Sequence, residues 1–139
     1  MDNKELISEM LGKKIWAVVG VSPNHEKVSN HIFRTLVRNN YETYPVNPKY
    51  DVIGDGVKCY HSISELPVVP DCVDFVVPPA VTLKHLKELD PAVIKYVWFQ
   101  PGTYNDEVIS YAEEKGFRAV HDGACVMVAL KLAHTGSGS

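Results

Sequence analysis

The fold predicted by this sequence is α/β: a Rossmann-like three-layer αβα sandwich around a mostly parallel sheet of about five strands. Three observations predict it. Short, almost unbroken apolar runs of strand-forming residues recur, foremost Ile15-Trp16-Ala17-Val18-Val19 and Val73-Asp74-Phe75-Val76-Val77. Such runs mark strands covered on both faces. The stretches between them carry apolar residues at helical spacing. The two kinds of segment alternate along the chain, which builds a parallel sheet with right-handed crossovers and helices on both faces.

The elements follow in order. Leu6, Ile7, Met10 and Leu11 place a helix from about Lys4 to Leu11, stopped by Gly12. The first strand is Ile15–Val19. Val28, Ile32, Phe33, Leu36 and Val37 form the next helical stripe, which ends at Asn39-Asn40. Thr43-Tyr44-Pro45-Val46 is a strand whose proline argues for an edge position or an early end. After the strand at Val73, Leu83, Leu86 and Leu89 mark a helix bracketed by Pro79 and Pro91. Tyr96-Val97-Trp98-Phe99 is a further buried strand. Val108, Ile109 and Ala112, stopped by Gly116, give another helix, and Arg118-Ala119-Val120-His121 closes the series as a shorter strand.

At 139 residues the chain fits one domain, assigned to residues 1–134, and buries enough surface to fold without a metal or disulfide staple. Thr135-Gly136-Ser137-Gly138-Ser139 has the composition of a flexible tail. The net charge of −3 argues against nucleic acid or a membrane surface as partner, so basic contacts to phosphate must be local. Three cysteines, an odd number without close pairing, suggest no disulfide framework. No signal-peptide pattern opens the sequence, and no apolar run reaches the ~20 residues of a membrane span, so a cytoplasmic location is expected.

In an open parallel sheet, ligands bind outside the carboxyl ends of the strands, where the strand order reverses. Four loops therefore matter: residues 20–27, 47–50, 78–80 and 100–104. In the first, Gly20 lets backbone approach a ligand closely, and the helix that follows offers unpaired N–H groups to an anion. Ser22 and Asn24 can add hydrogen bonds, and Lys27 charge. The Gly-x-Gly-x-x-Gly spacing is absent, and one glycine alone reads equally well as a tight turn with solvated polar residues. The second loop, Val46-Asn47-Pro48-Lys49, lacks the acid that holds a bare ribose diol in NAD domains. An amide, a proline face and a lysine suit adenine beside an extra ribose phosphate, although an Asn-Pro turn also simply ends a strand. Val77-Pro78-Pro79 offers a rigid apolar wall or only a helix start. Gln100-Pro101-Gly102 adds an amide and flexible backbone, or only a turn.

Taken in order, these loops resemble the stand-alone CoA-binding protein family, whose fold is also the CoA-binding domain of succinyl-CoA ligase α subunits. The matching residues are Ala17-Val18-Val19-Gly20-Val21-Ser22-Pro23, Tyr44-Pro45-Val46-Asn47-Pro48-Lys49, Val97-Trp98-Phe99-Gln100-Pro101-Gly102, and Ala119-Val120-His121-Asp122 with Cys125. The resemblance implies coenzyme A as the cofactor. Gly20, Val21 and Ser22, with Pro23 and Lys27 beside them, would face its phosphates; Val46, Asn47, Pro48 and Lys49 would hold the adenosine. Val77, Pro78 and Pro79 would pack along the nucleotide, with Gln100, Pro101 and Gly102 at the same sheet edge. Family members often carry Asp-Arg-Cys where this chain has Asp122-Gly123-Ala124-Cys125.

Catalysis finds little support. The six histidines are scattered, no nucleophile triad is visible, and neither Cys59 with His61 nor His121 with Cys125 supplies the ligands zinc wants. Cys125 is the best candidate for reactive chemistry, set against an inert packed thiol. The expectation is therefore a CoA or acyl-CoA binding protein, non-catalytic on its own, with no metal. An NAD(P)- or other adenine-nucleotide-binding regulatory domain is the first alternative. An accessory subunit completing an acyl-CoA enzyme in trans is the second, and a homodimer through exposed aromatics is a further partner reading.

Overall fold

The computed structural model describes residues 3–137. The elements run α1 (Asn3–Leu11), β1 (Ile15–Val19), α2 (Val28–Arg38), β2 (Glu42–Val46), β3 (Val52–Ile53) and β4 (Val57–Lys58). A 3-10 turn (Ile63–Glu65) leads to β5 (Cys72–Phe75), α3 (Pro79–Lys87), β6 (Tyr96–Phe99), α4 (Asp106–Lys115), β7 (Arg118–Val120) and α5 (Val126–Ser137). Five strands form one parallel sheet in the order β2-β1-β5-β6-β7, while β3 and β4 pair antiparallel as a separate hairpin. The fold is thus the Rossmann-like sandwich that the alternation predicts.

Strand alternation divides the core between the two faces. Trp16, Val18, Cys72, Trp98 and Val120 point to the side covered by α1, α2 and α5. Ala17, Val19, Val73, Phe75, Val97 and Phe99 point to the side covered by α3 and α4. Burying both faces explains why these strands read as apolar runs rather than as an alternation. β2 is an edge strand, as Pro45 predicts, and its outer side is partly covered: Tyr60 N donates to Pro45 O and Asn47 N to Tyr60 O.

The ends of elements follow local chemistry. Asn105 Oδ1 accepts from Val108 N at 3.0 Å to cap α4, whose other end stops at left-handed Gly116. α3 begins on Pro79, where a missing N–H costs nothing. The strand expected to reach Val77 ends at Phe75 instead, although Val76 N still bonds Val19 O. The tail assigned to residues 135–139 begins inside α5, whose backbone runs to Ser137; Gly138 and Ser139 lie outside the described residues. No helix among the described residues is long and apolar enough to cross a membrane.

Candidate nucleotide site at the strand ends

The order β2-β1-β5-β6-β7 reverses between β1 and β5, so a crevice is expected where the loops after these two strands diverge. Gly20 sits at this point. Its φ is +102°, its N–H donates to Val46 O at 2.7 Å, and an added Cβ would lie 2.5 Å from both Val76 O and Val77 Cγ1. Only glycine lets the β1 turn pass so close to the β5 turn.

The turn that follows is stapled to α2 by buried polar side chains. Ser29 Oγ accepts from Ser22 N at 3.0 Å, and Asn30 Nδ2 donates to Ser22 O at 2.8 Å. Asn24 N donates to Ser22 Oγ and Glu26 N to Asn24 Oδ1, so the loop is closed on itself. Arg34 braces it from the next helical turn, with Nε on Asn30 Oδ1 at 2.6 Å and Nη2 on His25 O at 3.2 Å. At the start of α2, Lys27 N already donates to Asn24 O and Asn30 N to Lys27 O, which leaves the N–H groups of Val28 and Ser29 for an anion. That end of a helix carries a partial positive charge of roughly half an electron and favours an anion. Lys27, exposed, stands at the N-cap position without a side-chain cap bond.

The second loop is tied to the first. Asn47 Nδ2 donates to Val21 O at 3.1 Å, while its Oδ1 accepts from Lys49 N at 3.0 Å. Pro48 and Lys49 stay exposed. Beneath them Cys59 Sγ lies 3.7 Å from Asn47 O, and burial pushes this thiol up from its ordinary pKa. The β3–β4 hairpin lies over the same loops, since an added Cβ at Gly54 would meet His25 Nε2 at 3.0 Å.

The structure therefore brings Gly20, Val21 and Ser22 together with Asn47 and Val77, with Pro23, Lys27, Lys49, Pro78 and Pro79 around them. Val21 and Val46 are wholly buried, so they can offer only backbone to a ligand. Gln100 is also buried and already engaged at both ends: Nε2 donates to Asp74 Oδ1 at 2.7 Å and Oε1 accepts from Val126 N at 3.3 Å. Pro101 and left-handed Gly102 are exposed beside it. Sequence reasoning did not find Ser29 and Asn30, whose signal is two polar residues within a buried helical stripe. It also passed over Asp74, a carboxylate inside an apolar strand. Burial pushes the Asp74 carboxyl well above its ordinary range, against the opposing Gln100 hydrogen bond. Among the described residues no cluster of His, Cys, Asp and Glu has the make-up of a metal site.

Residues 14–131 match the family of the CoA binding domain. The chain belongs to this family. Among curated relatives, it is 30% identical over 130 residues to the ADP-forming acetate–CoA ligase I of Archaeoglobus fulgidus, covering 86% of the chain and 19% of that enzyme. The chain thus spans about a fifth of the length of that ligase. YneT of Bacillus subtilis is 33% identical over 137 residues, covering 95% of the chain and 94% of YneT. Among solved structures, a hypothetical protein from Pyrococcus horikoshii superposes with a TM-score of 0.85 at 32% identity, covering 95% of this chain and 92% of that one.

The residues present fit a phosphorylated nucleotide. Gly20 lets the β1 turn pass against Val76 and Val77 where a Cβ would clash, α2 starts from the same loop, and Lys27 and Lys49 are exposed on the two loops that Asn47 ties together.

Proposed function

We propose that this chain binds coenzyme A or an acyl-CoA at the carboxyl ends of β1, β2 and β5, and that it is not catalytic on its own. The observation that carries this reading is the close approach at Gly20, where the β1 turn abuts Val76 and Val77 at the reversal of strand order. The α2 N–H groups and Lys27 take the diphosphate. Asn47 shapes the adenosine end, and Lys49 pairs with the ribose 3′-phosphate that separates CoA from NAD. Val77, Pro78 and Pro79 form the apolar wall along the nucleotide, and Pro101 with Gly102 borders the route of the flexible arm. Gln100 serves from behind, as a support rather than a contact, because both ends of its amide are taken.

Calorimetric titration with CoA, dephospho-CoA, NAD and NADP tests this. CoA is expected to bind more tightly than dephospho-CoA, and Lys49→Ala to weaken CoA by roughly three- to tenfold while leaving dephospho-CoA little changed. A preference for NAD or NADP would replace this reading with a redox-nucleotide sensor.

A further inference from the structure

The nucleotide site leaves the other end of the sheet unused. There, at the amino ends of β5 and β6, two grooves run side by side. The larger, of about 640 Å³, lies between residues 62–70 and the end of α3, and its apolar lining includes Ile63, Leu66, Leu89 and Ile94. The smaller, of about 330 Å³, is lined by Lys13, Asp71, Lys95 and Tyr96. Val69, Pro70 and Val93 line both grooves, so they form the ridge between them.

The ridge is held in place. Pro67 and Pro70 bracket Val68 and Val69 and fix the backbone at both ends. Asp71 Oδ2 accepts from Lys14 N at 3.3 Å and from Ile15 N at 3.0 Å, which ties this loop to the start of β1. Val93 stands on a turn in which Asp90 Oδ1 accepts from Ala92 N and Asp90 O from Val93 N, both at 2.9 Å. Val69 and Val93 are each 59% exposed on this fixed backbone, an apolar surface already shaped for a partner.

The charges select the partner. The larger groove carries Glu88 and Asp90, and the smaller carries Lys13 and Lys95. Among the described residues, Lys13, Lys95 and Asp90 have no ion-pair partner, and Glu88 meets only the buried His85 ring, at 3.9 Å. Asp71, the acid of the smaller groove, is already engaged by two main-chain N–H groups. Acid therefore lies on one side of the ridge and base on the other. Such a face complements itself. Turned about a two-fold axis, it sets each acidic side against the other copy's basic side and each ridge against the other copy's groove.

We propose that this face joins two copies of the chain in an isologous dimer. Val69 and Val93 of each copy enter the larger groove of the other, and Lys95 of each meets Glu88 of the other. Apolar burial supplies the affinity, and the exposed charge pairs set the orientation. A stable pair of this kind needs ~800 Å² from each copy, about a tenth of the 7501 Å² that this chain exposes. The carboxyl ends of the strands point away from the interface, so both nucleotide sites stay open, and the pairing does not depend on what they bind.

The test measures the mass of the full chain by light scattering at low salt and rising concentration, up to ~0.3 mM, where a pair with a Kd of ~0.1 mM is mostly formed. Expected is a rise from 15.5 kDa towards twice that value. Val69→Glu places its charge where valine is already exposed, so the variant should keep the parent's far-ultraviolet spectrum and remain a single chain. Lys95→Glu alone and Glu88→Lys alone should each weaken pairing roughly tenfold, because each sets like charges together at two places. Mixed in equal amounts, these two variants should pair as the parent does, since both contacts then join opposite charges. A chain that stays single at every concentration overturns the proposal and leaves the face to a different protein. A pair that survives Val69→Glu, or charge variants that do not recover on mixing, places the interface elsewhere and overturns it too.

Discussion

Gly20 is the residue on which the candidate site turns. Alanine there would combine a left-handed backbone with a Cβ only 2.5 Å from Val76 O, which is main chain and cannot move aside cheaply. Strain and overpacking together predict that Gly20→Ala lowers stability by about 2–4 kcal/mol, measured by urea denaturation, and weakens CoA binding beyond calorimetric detection. Asp74 gives a prediction of a different kind. Its folded-state pKa is raised, so the folded chain holds the proton more tightly than the unfolded chain does. Its contribution is therefore fully present below the ordinary aspartate value and is lost as pH rises through the folded-state pKa. Asp74→Asn removes that loss. The variant should gain stability relative to the parent between pH 4 and pH 8, read from denaturation midpoints across that range. A difference that stays flat or reverses would mean that Asp74 is not held protonated.

At the scale of elements, helices are positioned by a few polar bonds rather than by apolar area alone. α4 has its cap within its own sequence, and Asn105→Ala should cost about 1 kcal/mol by denaturation without touching the ligand. α5 has its first N–H bonded from another strand end, by the side chain of Gln100. Gln100→Ala would leave both Val126 N and Asp74 Oδ1 without this partner inside the protein. The expected loss is about 2–4 kcal/mol, a larger effect than removal of the local cap. Hydrogen exchange should show the first turn of α5 opening before α4. In the hairpin of β3 and β4, Ile53 packs into the core and His25 lies against Gly54, while Val52 and Val57 stay exposed.

For the molecule as a whole, the candidate site lies on the loops at the carboxyl ends of the strands. A groove of about 640 Å³ lies elsewhere, between residues 62–70 and the end of α3, and it reaches the opposite ends of the strands at Pro70 and Ile94. A ligand held at the β1–β5 reversal stabilises the folded chain by mass action, about 2.7 kcal/mol at a hundredfold excess over Kd. A thermal shift series should therefore place CoA above dephospho-CoA at equal concentration. An equal shift for both would remove Lys49 from the recognition of the 3′-phosphate.

Most of the architecture was legible in the residues. Covered strands must be apolar on both faces, and the helices between them must carry a stripe, so β1, β2, β5, β6 and β7 and α1 to α4 could each be read from local pattern. The loops after β1 and β2 stood out for the same reason, because glycine, proline and asparagine are local signals. α5 escaped because Val126, Met127, Val128, Ala129, Leu130 and Leu132 are apolar at nearly every position, which is as compatible with a strand as with a helix. The two-residue strands β3 and β4 are too short to show any period. Ser29, Asn30 and Asp74 show in the sequence only as polar residues within apolar stretches, and neither they nor Gln100 reveal there which bonds they make. Each depends on a partner many positions away, whose approach is set by strand order and helix packing, and a hydrogen bond between distant residues exists only once the backbone has brought donor and acceptor within 3 Å or so.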